Sequence, residues 1–448
     1  MSDIQLSEKQ QRAIASIKDW FKMRTDSQQI FRLFGYAGTG KTTVLKYALK
    51  ELDIKDLKPS RYDEDSCERQ YNHGGVVTAT FTGKAALVLR QKGTPARTIH
   101  SLIYRVTEVT EEEVKARQKE IDDTREAAKS ITDDFERVAE QARITGMEEA
   151  LKKLKQPSFS LNPQSDAAFA DLIVLDEVSM VSEDMAKDLM SFGKPILVLG
   201  DPGQLPPIHG EGAFTNCEPD IMLTEIHRQA GESAIIRLAT AARIGQPIDY
   251  GCYDAHVAKL PKGSLTAAQM LRGGQVICGM NATRLQLNND MRLAAGFNGN
   301  ALPTGNGEKI ICLKNMNDRG LINGMFITLA DVKPTDEDHC FTAKIFDENG
   351  DPIQSKSNSG EILDQYIYTG HFHDHVHFDK ERSNRDWRLK KGLVEATYGW
   401  AITCHKAQGS QWENVIVWDD GLGRTDLDRR RWLYTAITRA EKGLVILS

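Results

Sequence analysis

Short apolar runs, each ending in a polar loop, alternate along the chain with segments whose apolar residues recur every three or four positions. Ile30–Phe34, Gly75–Thr80, Leu172–Glu177 and Pro195–Leu199 have the length and continuity of buried strands, and Thr43–Leu49 that of a helix. Before the first strand, Ser7 is placed to cap a helix whose apolar face carries Ile14, Ile17, Trp20 and Phe21. A charged connection, Asp53–His73, precedes the second strand. Strands and helices alternating in this way predict a parallel sheet in an α/β fold. The same pattern begins again near Ile221, with a helix at Ala234–Arg243, a strand at Gln275–Gly279 and a helix at Asn281–Leu293. It resumes with strand-like Glu395–Thr403, a strand at Asn414–Val417, a helix at Arg429–Ala440 and a closing strand at Leu444–Leu447.

Two stretches break the pattern. From Thr107 to Lys155 charges dominate, Glu111 and Glu113 precede Lys115 and Arg117 by four residues, and Phe135, Val138, Ala139 and Ala142 recur at helical spacing. One or two amphipathic helices are expected there, with Pro157–Asp166 a loop leading back to the sheet. Beyond a linker at Pro303–Gly307, four β-rich runs (Lys309–Leu313, Met325–Asp331, Phe341–Phe346 and Ile362–Tyr368) are separated by Gly, Asn and Asp turns, which suggests a small β-barrel. The expected organisation is a first lobe of residues 1–103 and 167–215, a helical insertion at 104–166, a second lobe of 216–302 and 394–448, and a β insertion at 303–393.

Bulk properties narrow the class. No apolar run approaches the length of a membrane span, and the start of the chain is polar, so no membrane association is expected. Seven scattered cysteines without C-x-x-C spacing suit a reducing cytoplasm rather than a disulfide framework or zinc ribbon. A formal net charge of −6 argues against a protein that coats nucleic acid indiscriminately, but leaves room for a local basic groove.

The sharpest chemical signal is Gly35-Tyr36-Ala37-Gly38-Thr39-Gly40-Lys41-Thr42-Thr43, which has the spacing of a phosphate-binding loop between a strand and a helix. Backbone amides freed by the glycines curl around a polyphosphate, and Lys41 and Thr42 reach the β- and γ-phosphates and a Mg²⁺. A nucleoside triphosphate with Mg²⁺ is the expected ligand. Asp176-Glu177, ending an apolar strand, would be a turn or cap elsewhere. With this loop it fits hydrolysis, Asp176 holding the metal shell and Glu177 orienting or deprotonating the attacking water. Gln204, after the next strand, is placed to sense a γ-phosphate. Phe81, Thr82 and Lys84 follow a strand end, where an open α/β sheet meets its ligands. His371, His373, His375 and His377 would share one face of a strand, although no Cys or carboxylate set accompanies them. Arg382, Arg385, Trp387, Arg388, Lys390 and Lys391 form a basic patch suited to a phosphate backbone or to solvent.

In order, LSEKQ, GYAGTGKTT, TATFTGKAA, TIHSL, VLDEVSM, LGDPGQLPPI, IHRQ, AITCHKAQGSQW and YTAITRA resemble the motifs of a superfamily 1 helicase, most closely the RecD-type and phage Dda-type branch. The resemblance covers nearly the whole chain and implies two RecA-like lobes. Ser7 departs from the usual Thr of the opening glutamine motif, and the insertion looks helical where some relatives carry a β-hairpin pin. By this resemblance Gln10 reads adenine, and Gly35, Ala37, Gly38, Thr39, Gly40, Lys41, Thr42, Thr43 and Gly409 hold the nucleotide. Gln204 couples the γ-phosphate to DNA, and Arg228 and Arg439 are arginine fingers from the second lobe. Phe81, Thr82, Lys84, Thr98, His100, Pro206, Thr403, His405, Lys406 and Trp412 line a strand groove. A finger on a second lobe makes closure depend on ATP, so that each cycle advances a strand. Trp400 and Trp412 are candidate stacking platforms.

The resemblance thus implies an ATP-dependent, 5′ to 3′ DNA helicase. Its expected partners are single-stranded DNA, forked or tailed duplexes, and single-strand-binding or replication proteins, and it is expected to act as a cytoplasmic monomer. The rivals are a strand translocase that strips proteins without processive unwinding, a scaffold with a degenerate ATPase, which the intact Lys41, Asp176, Glu177, Gln204, Arg228 and Arg439 oppose, and a nuclease fusion, which would need another acidic metal cluster, with the histidine run its only candidate.

Overall fold

The computed structural model describes residues 6–58, 60–63, 68–70, 72–107, 111–130, 133–154, 158–207, 212–225, 233–297, 301–305, 307–316, 319–348, 350–353, 362–373 and 387–448. Two six-stranded sheets dominate it. The first is parallel throughout, in the order Ile221–Leu223, Ile30–Gly35, Ile196–Gly200, Leu172–Asp176, Val76–Thr80, Ala96–Thr98. Side chains alternate across its strands, so Leu33 packs with Ile17, Val44 and Ala48 on one face while Phe34 packs with Leu102, Val178 and Leu189 on the other. With both faces covered, the central strands must be apolar throughout.

Ile221–Leu223 corrects an expectation. This run, read as the opening of the second α/β pattern, pairs with Leu33–Gly35 at the edge of the first sheet. The second sheet runs Gly251–Cys252, Val257–Leu260, Ala440–Leu447, Trp412–Trp418, Gln275–Cys278, Ala401–Thr403, and only the first pair is antiparallel. Helices Ala234–Ile244 and Asp426–Ile437 cover one face through Leu238, Trp432 and Ile437. Met270, Leu287 and Met291 cover the other.

The run read as one strand, Glu395–Thr403, divides at Gly399 and Trp400. Ala396–Tyr398 joins a separate five-stranded sheet and Ala401–Thr403 joins the second lobe. That five-stranded sheet has the order Gln365–Tyr368, Cys340–Phe346, Phe326–Pro334, Lys309–Cys312, Ala396–Tyr398. Val394 hydrogen-bonds to Tyr366 and Tyr368, so the segment entering the last strand also touches the first. A buried ion pair ties this unit to the second lobe: Arg292 Nε lies 3.0 Å from Glu308 Oε2, and its guanidinium sits 4.0 Å from the centre of the Tyr398 ring.

The insertion holds two helices, Glu111–Ala128 and Asp134–Leu154. Pro157–Asp166 is not simply a loop, because Ser158–Leu161 pairs antiparallel with Tyr104–Thr107 and sets the helices on a β ladder. The seam between the helices is Ile121, Ile144 and Leu151, whereas Phe135 and Val138 are exposed. Within Asp53–His73 a short hairpin, Arg61–Asp63 with Glu68–Gln70, also escaped the sequence pattern.

The histidine expectation fails where it can be checked. Gly370–His373 is a helical turn, not a strand, and His371 Nε2 lies 2.9 Å from Glu395 Oε2. His375 and His377 lie outside the described residues, as do Arg382 and Arg385, and the side chains of Trp387 and Arg388 are not described. Lys390 stands 3.8 Å from Glu395 and 5.0 Å from the centre of the Tyr368 ring. Trp400 packs beside Tyr398 and Phe297 in the core, where it cannot serve as an open stacking platform. Among the described residues no helix is long and apolar enough to cross a membrane, and the described cysteines are free.

Candidate active site between the lobes

The strand Ile30–Gly35 delivers the chain into the phosphate loop, and the helix Lys41–Leu52 leaves it. Gly38 and Gly40 have φ of 78° and 81°, a region that side chains other than glycine seldom enter, so the turn requires the glycines. Lys41 Nζ folds back onto the loop and donates to the Gly35 carbonyl at 2.6 Å and the Tyr36 carbonyl at 3.3 Å. Thr39 Oγ1 donates to the Tyr36 carbonyl at 2.8 Å. Ser7 caps the first helix in a box with Gln10, as the sequence predicts, and Gln10 Nε2 then donates to the Thr39 carbonyl at 3.0 Å. The opening glutamine therefore braces the loop directly.

Asp176 and Glu177 stand at the end of the neighbouring strand Leu172–Asp176. Glu177 has φ 54° and ψ 49°, a left-handed conformation that costs a non-glycine residue on the order of 1 kcal/mol. Its amide donates to Asp176 Oδ1 at 2.9 Å. Burial, then the Glu177 charge, pushes the Asp176 carboxyl up to about 6, with Lys41 opposing. Asp201 is also buried and held above the ordinary carboxylate range by burial, against the pull of Lys41 and of its hydrogen bond from Tyr434. One ammonium thus faces two buried acids, Asp176 and Asp201, and a carboxylate such as Asp176 is a hard-oxygen donor of the kind Mg²⁺ takes.

The second lobe reaches this site through residues whose roles were not legible in the sequence. Tyr434 Oη donates to Asp201 Oδ2 at 2.6 Å and accepts the Ala37 amide at 2.9 Å. Leu205 donates its amide to Thr435 Oγ1 and accepts Gln408 Nε2 at its carbonyl, both at 2.9 Å. The backbone beside Gln204 is therefore gripped by the second lobe, while Gln204 Oε1 accepts Ser179 Oγ at 3.4 Å. Arg243, another unforeseen residue, lays its guanidinium 3.6 Å from the centre of the Tyr36 ring, beside a cavity of about 270 Å³ lined by Tyr36, Ala37, Thr224 and Tyr434. Asp201 lies in GDPGQLPP and Tyr434 in YTAITRA, but nothing local marks two residues so far apart as partners.

Arg439 is buried in its own lobe, donating to the Thr435 and Ser410 carbonyls and to Thr438 Oγ1. Arg228 lies outside the described residues. Gly409, expected at the nucleotide, instead has φ 76° and packs so closely on Thr82 and Ala85 of the first lobe that a Cβ would collide with Thr82 Oγ1.

The expected groove residues fall into two groups. In the first lobe, Phe81 and His100 pack edge to face at 6.0 Å, Thr82 caps the helix Gly83–Gln91, and Thr98 caps Ile99–Ile103. In the second, Thr403 precedes the turn Cys404–Ala407, which carries His405 and Lys406. Burial lowers the basicity of both of these, with Arg284 contributing at Lys406, and likewise that of His100. Pro206 follows the gripped Leu205. Lys84 and Trp412 come together from opposite lobes, with Lys84 Nζ 5.9 Å from the centre of the indole.

A family model described as "AAA domain" matches residues 5–258, more than half of the chain, and a second, "UvrD-like helicase C-terminal domain", matches residues 398–447. The chain belongs to the AAA-domain family, and its C-terminal match is to a helicase domain, in keeping with the superfamily 1 resemblance. It is 26% identical over 298 residues to the ATP-dependent RecD2 DNA helicase of Deinococcus radiodurans, a match covering 60% of this chain and 35% of that protein. The chain therefore spans about a third of the length of that relative. In three dimensions it is similar to a structure of two coordinating Pif1 helicases that unwind DNA at forked duplex DNA, with 18% identity, a TM-score of 0.50, and coverage of 99% of this chain and 92% of that one. A Bacteroides Pif1 bound to single-stranded DNA gives 18% identity, a TM-score of 0.49, and coverage of 100% and 93%. The first likeness supports the fold of two RecA-like lobes.

Proposed function

We propose that the chain is an ATP-dependent DNA helicase that moves 5′ to 3′ along single-stranded DNA and parts the duplex ahead of it, acting as a cytoplasmic monomer. Its strongest support is the set of hydrogen bonds by which Tyr434, Thr435 and Gln408 of the second lobe hold Ala37, Asp201 and Leu205 beside the phosphate loop. Any change in the loop's occupancy is thereby felt between the lobes.

Gln10 selects adenine, and the amides of the loop with Lys41 bind the phosphates. Thr42 and Asp176 would hold Mg²⁺, which would neutralise phosphate charge. Glu177 takes the proton from a water attacking the γ-phosphorus, and ADP departs as the leaving group. Arg439 leaves its carbonyl partners to stabilise the equatorial oxygens, joined by Arg228. Gln204 relays the γ-phosphate to the strand groove lined by Phe81, Thr82, Lys84, Thr98, His100, Pro206, Thr403, His405, Lys406 and Trp412. Forked or tailed duplexes are the substrates, and single-strand-binding or replication proteins the partners.

ATP turnover with and without an oligodeoxynucleotide tests the reading. The wild-type protein should be stimulated by the strand, and Lys41→Ala should lose turnover while still binding the strand. Turnover indifferent to the strand would overturn the proposal.

A further inference from the structure

Three parts of the fold meet around one phenyl ring. Phe326, in the five-stranded sheet, is 1% exposed. Lys84 Nζ of the first lobe lies 5.0 Å from its centroid and Lys309 Nζ 4.3 Å, while the Trp412 ring of the second lobe meets it edge to face at 6.1 Å. Two ammonium groups over one ring attract its π-face but repel each other, so the arrangement calls for an anion. Glu348 supplies it: Oε2 stands 2.9 Å from Lys84 Nζ, and the same charge acts favourably on Lys309.

The geometry makes Glu348 a cover rather than a floor. Its side chain is 47% exposed, whereas that of Lys84 is 13% exposed. Glu348 sits on a tight turn in which Asp347 and Asp351 exchange hydrogen bonds: the Asp347 amide donates to the Asp351 carbonyl, and the Asp351 amide to Asp347 Oδ1, both at 2.9 Å. Beneath the cover, Lys309 is pushed down to about 8 by burial, and the buried Trp412 Nε1 has no hydrogen-bond partner among the described residues. Lys309 Nζ also donates to Gln275 Oε1 at 2.8 Å, so the two ammonium groups, an indole donor and ring surfaces surround the place where Glu348 now supplies the acceptor oxygens.

We propose that Lys84, Lys309, Phe326 and Trp412 form a subsite for one phosphodiester of the DNA strand, and that Glu348 occupies it in the strand-free protein and must swing out when the strand enters. A carboxylate and a phosphodiester offer the same charge and the same kind of acceptor, so the exchange keeps the lysines paired throughout. It also gives the strand an internal competitor, which weakens binding until several phosphates engage together. This deepens the strand-binding reading above and rests on it.

The test is anisotropy of a fluorescein-labelled oligothymidylate with the full chain. Glu348→Gln keeps the shape and removes the charge, and it should tighten binding about two- to fivefold, the range of an exposed ion pair. The gain should shrink as salt rises. Lys84→Gln should weaken binding, and in Lys84→Gln/Glu348→Gln the benefit of the Glu348 change should vanish. Melting temperature, measured on each variant, identifies any that has failed to fold. If wild-type protein binds the strand and a folded Glu348→Gln binds it no better, the subsite is overturned and the helicase proposal stands. Wild-type protein that binds no strand overturns the helicase proposal itself.

Discussion

The Tyr434 hydroxyl, carried by the second lobe, bridges the first: it donates to Asp201 Oδ2 at 2.6 Å and accepts the Ala37 amide at 2.9 Å. Asp201 is 3% exposed, and its other oxygen accepts the Gly203 amide. Losing the phenol therefore leaves a buried carboxylate short of a donor and the phosphate loop without its tie. Hydrogen bonds to charged groups are worth about 1.5–3 kcal/mol. Tyr434→Phe should destabilise the protein by about that amount and lower strand-stimulated kcat more than it raises KM for ATP, as thermal melting and steady-state kinetics will show.

Asp176 gives a prediction with a definite sign. Its carboxyl is raised to about 6 in the folded protein from an ordinary value near 3.8, so between those values the folded state holds the proton more tightly. The buried charge is a destabilising load at neutral pH, and the load fades as pH falls through about 6. Asp176→Asn should therefore melt above the wild type at pH 7 without nucleotide, and the difference should close by about pH 4.

Arg292 and Glu308 form an ion pair with 2% and 0% side-chain exposure, and Glu308 Oε1 also accepts the Thr304 amide at 2.7 Å. Removing one member strands the other in the core, which costs about 3–5 kcal/mol. Arg292→Met should lose that much stability in urea denaturation. Arg292→Met with Glu308→Leu should recover most of it, since neither charge is then buried alone.

The sequence carried the phosphate loop, the Asp176-Glu177 strand end and the Ser7 cap because each is local: spacing over a few residues determines the geometry. It did not carry sheet membership. Ile221–Leu223 is a three-residue apolar run that suits either sheet, and only its pairing with Leu33–Gly35 decides. Glu395–Thr403 reads as one strand, yet Gly399 and Trp400 turn the chain from one sheet into another. Phe135 and Val138 have helical spacing but face solvent, because the partner helix offers its apolar seam at Ile121 instead. Tyr434 and Asp201 are 233 residues apart, beyond the reach of any motif.

ATP-powered movement toward the 3′ end of a single strand is tested most directly by unwinding two matched partial duplexes, one with a 5′ single-stranded tail and one with a 3′ tail. The expected result is ATP-dependent unwinding of the 5′-tailed duplex alone. Unwinding of the 3′-tailed duplex alone would contradict the direction, and strand-stimulated ATP turnover with neither duplex opened would contradict the helicase and leave a translocase.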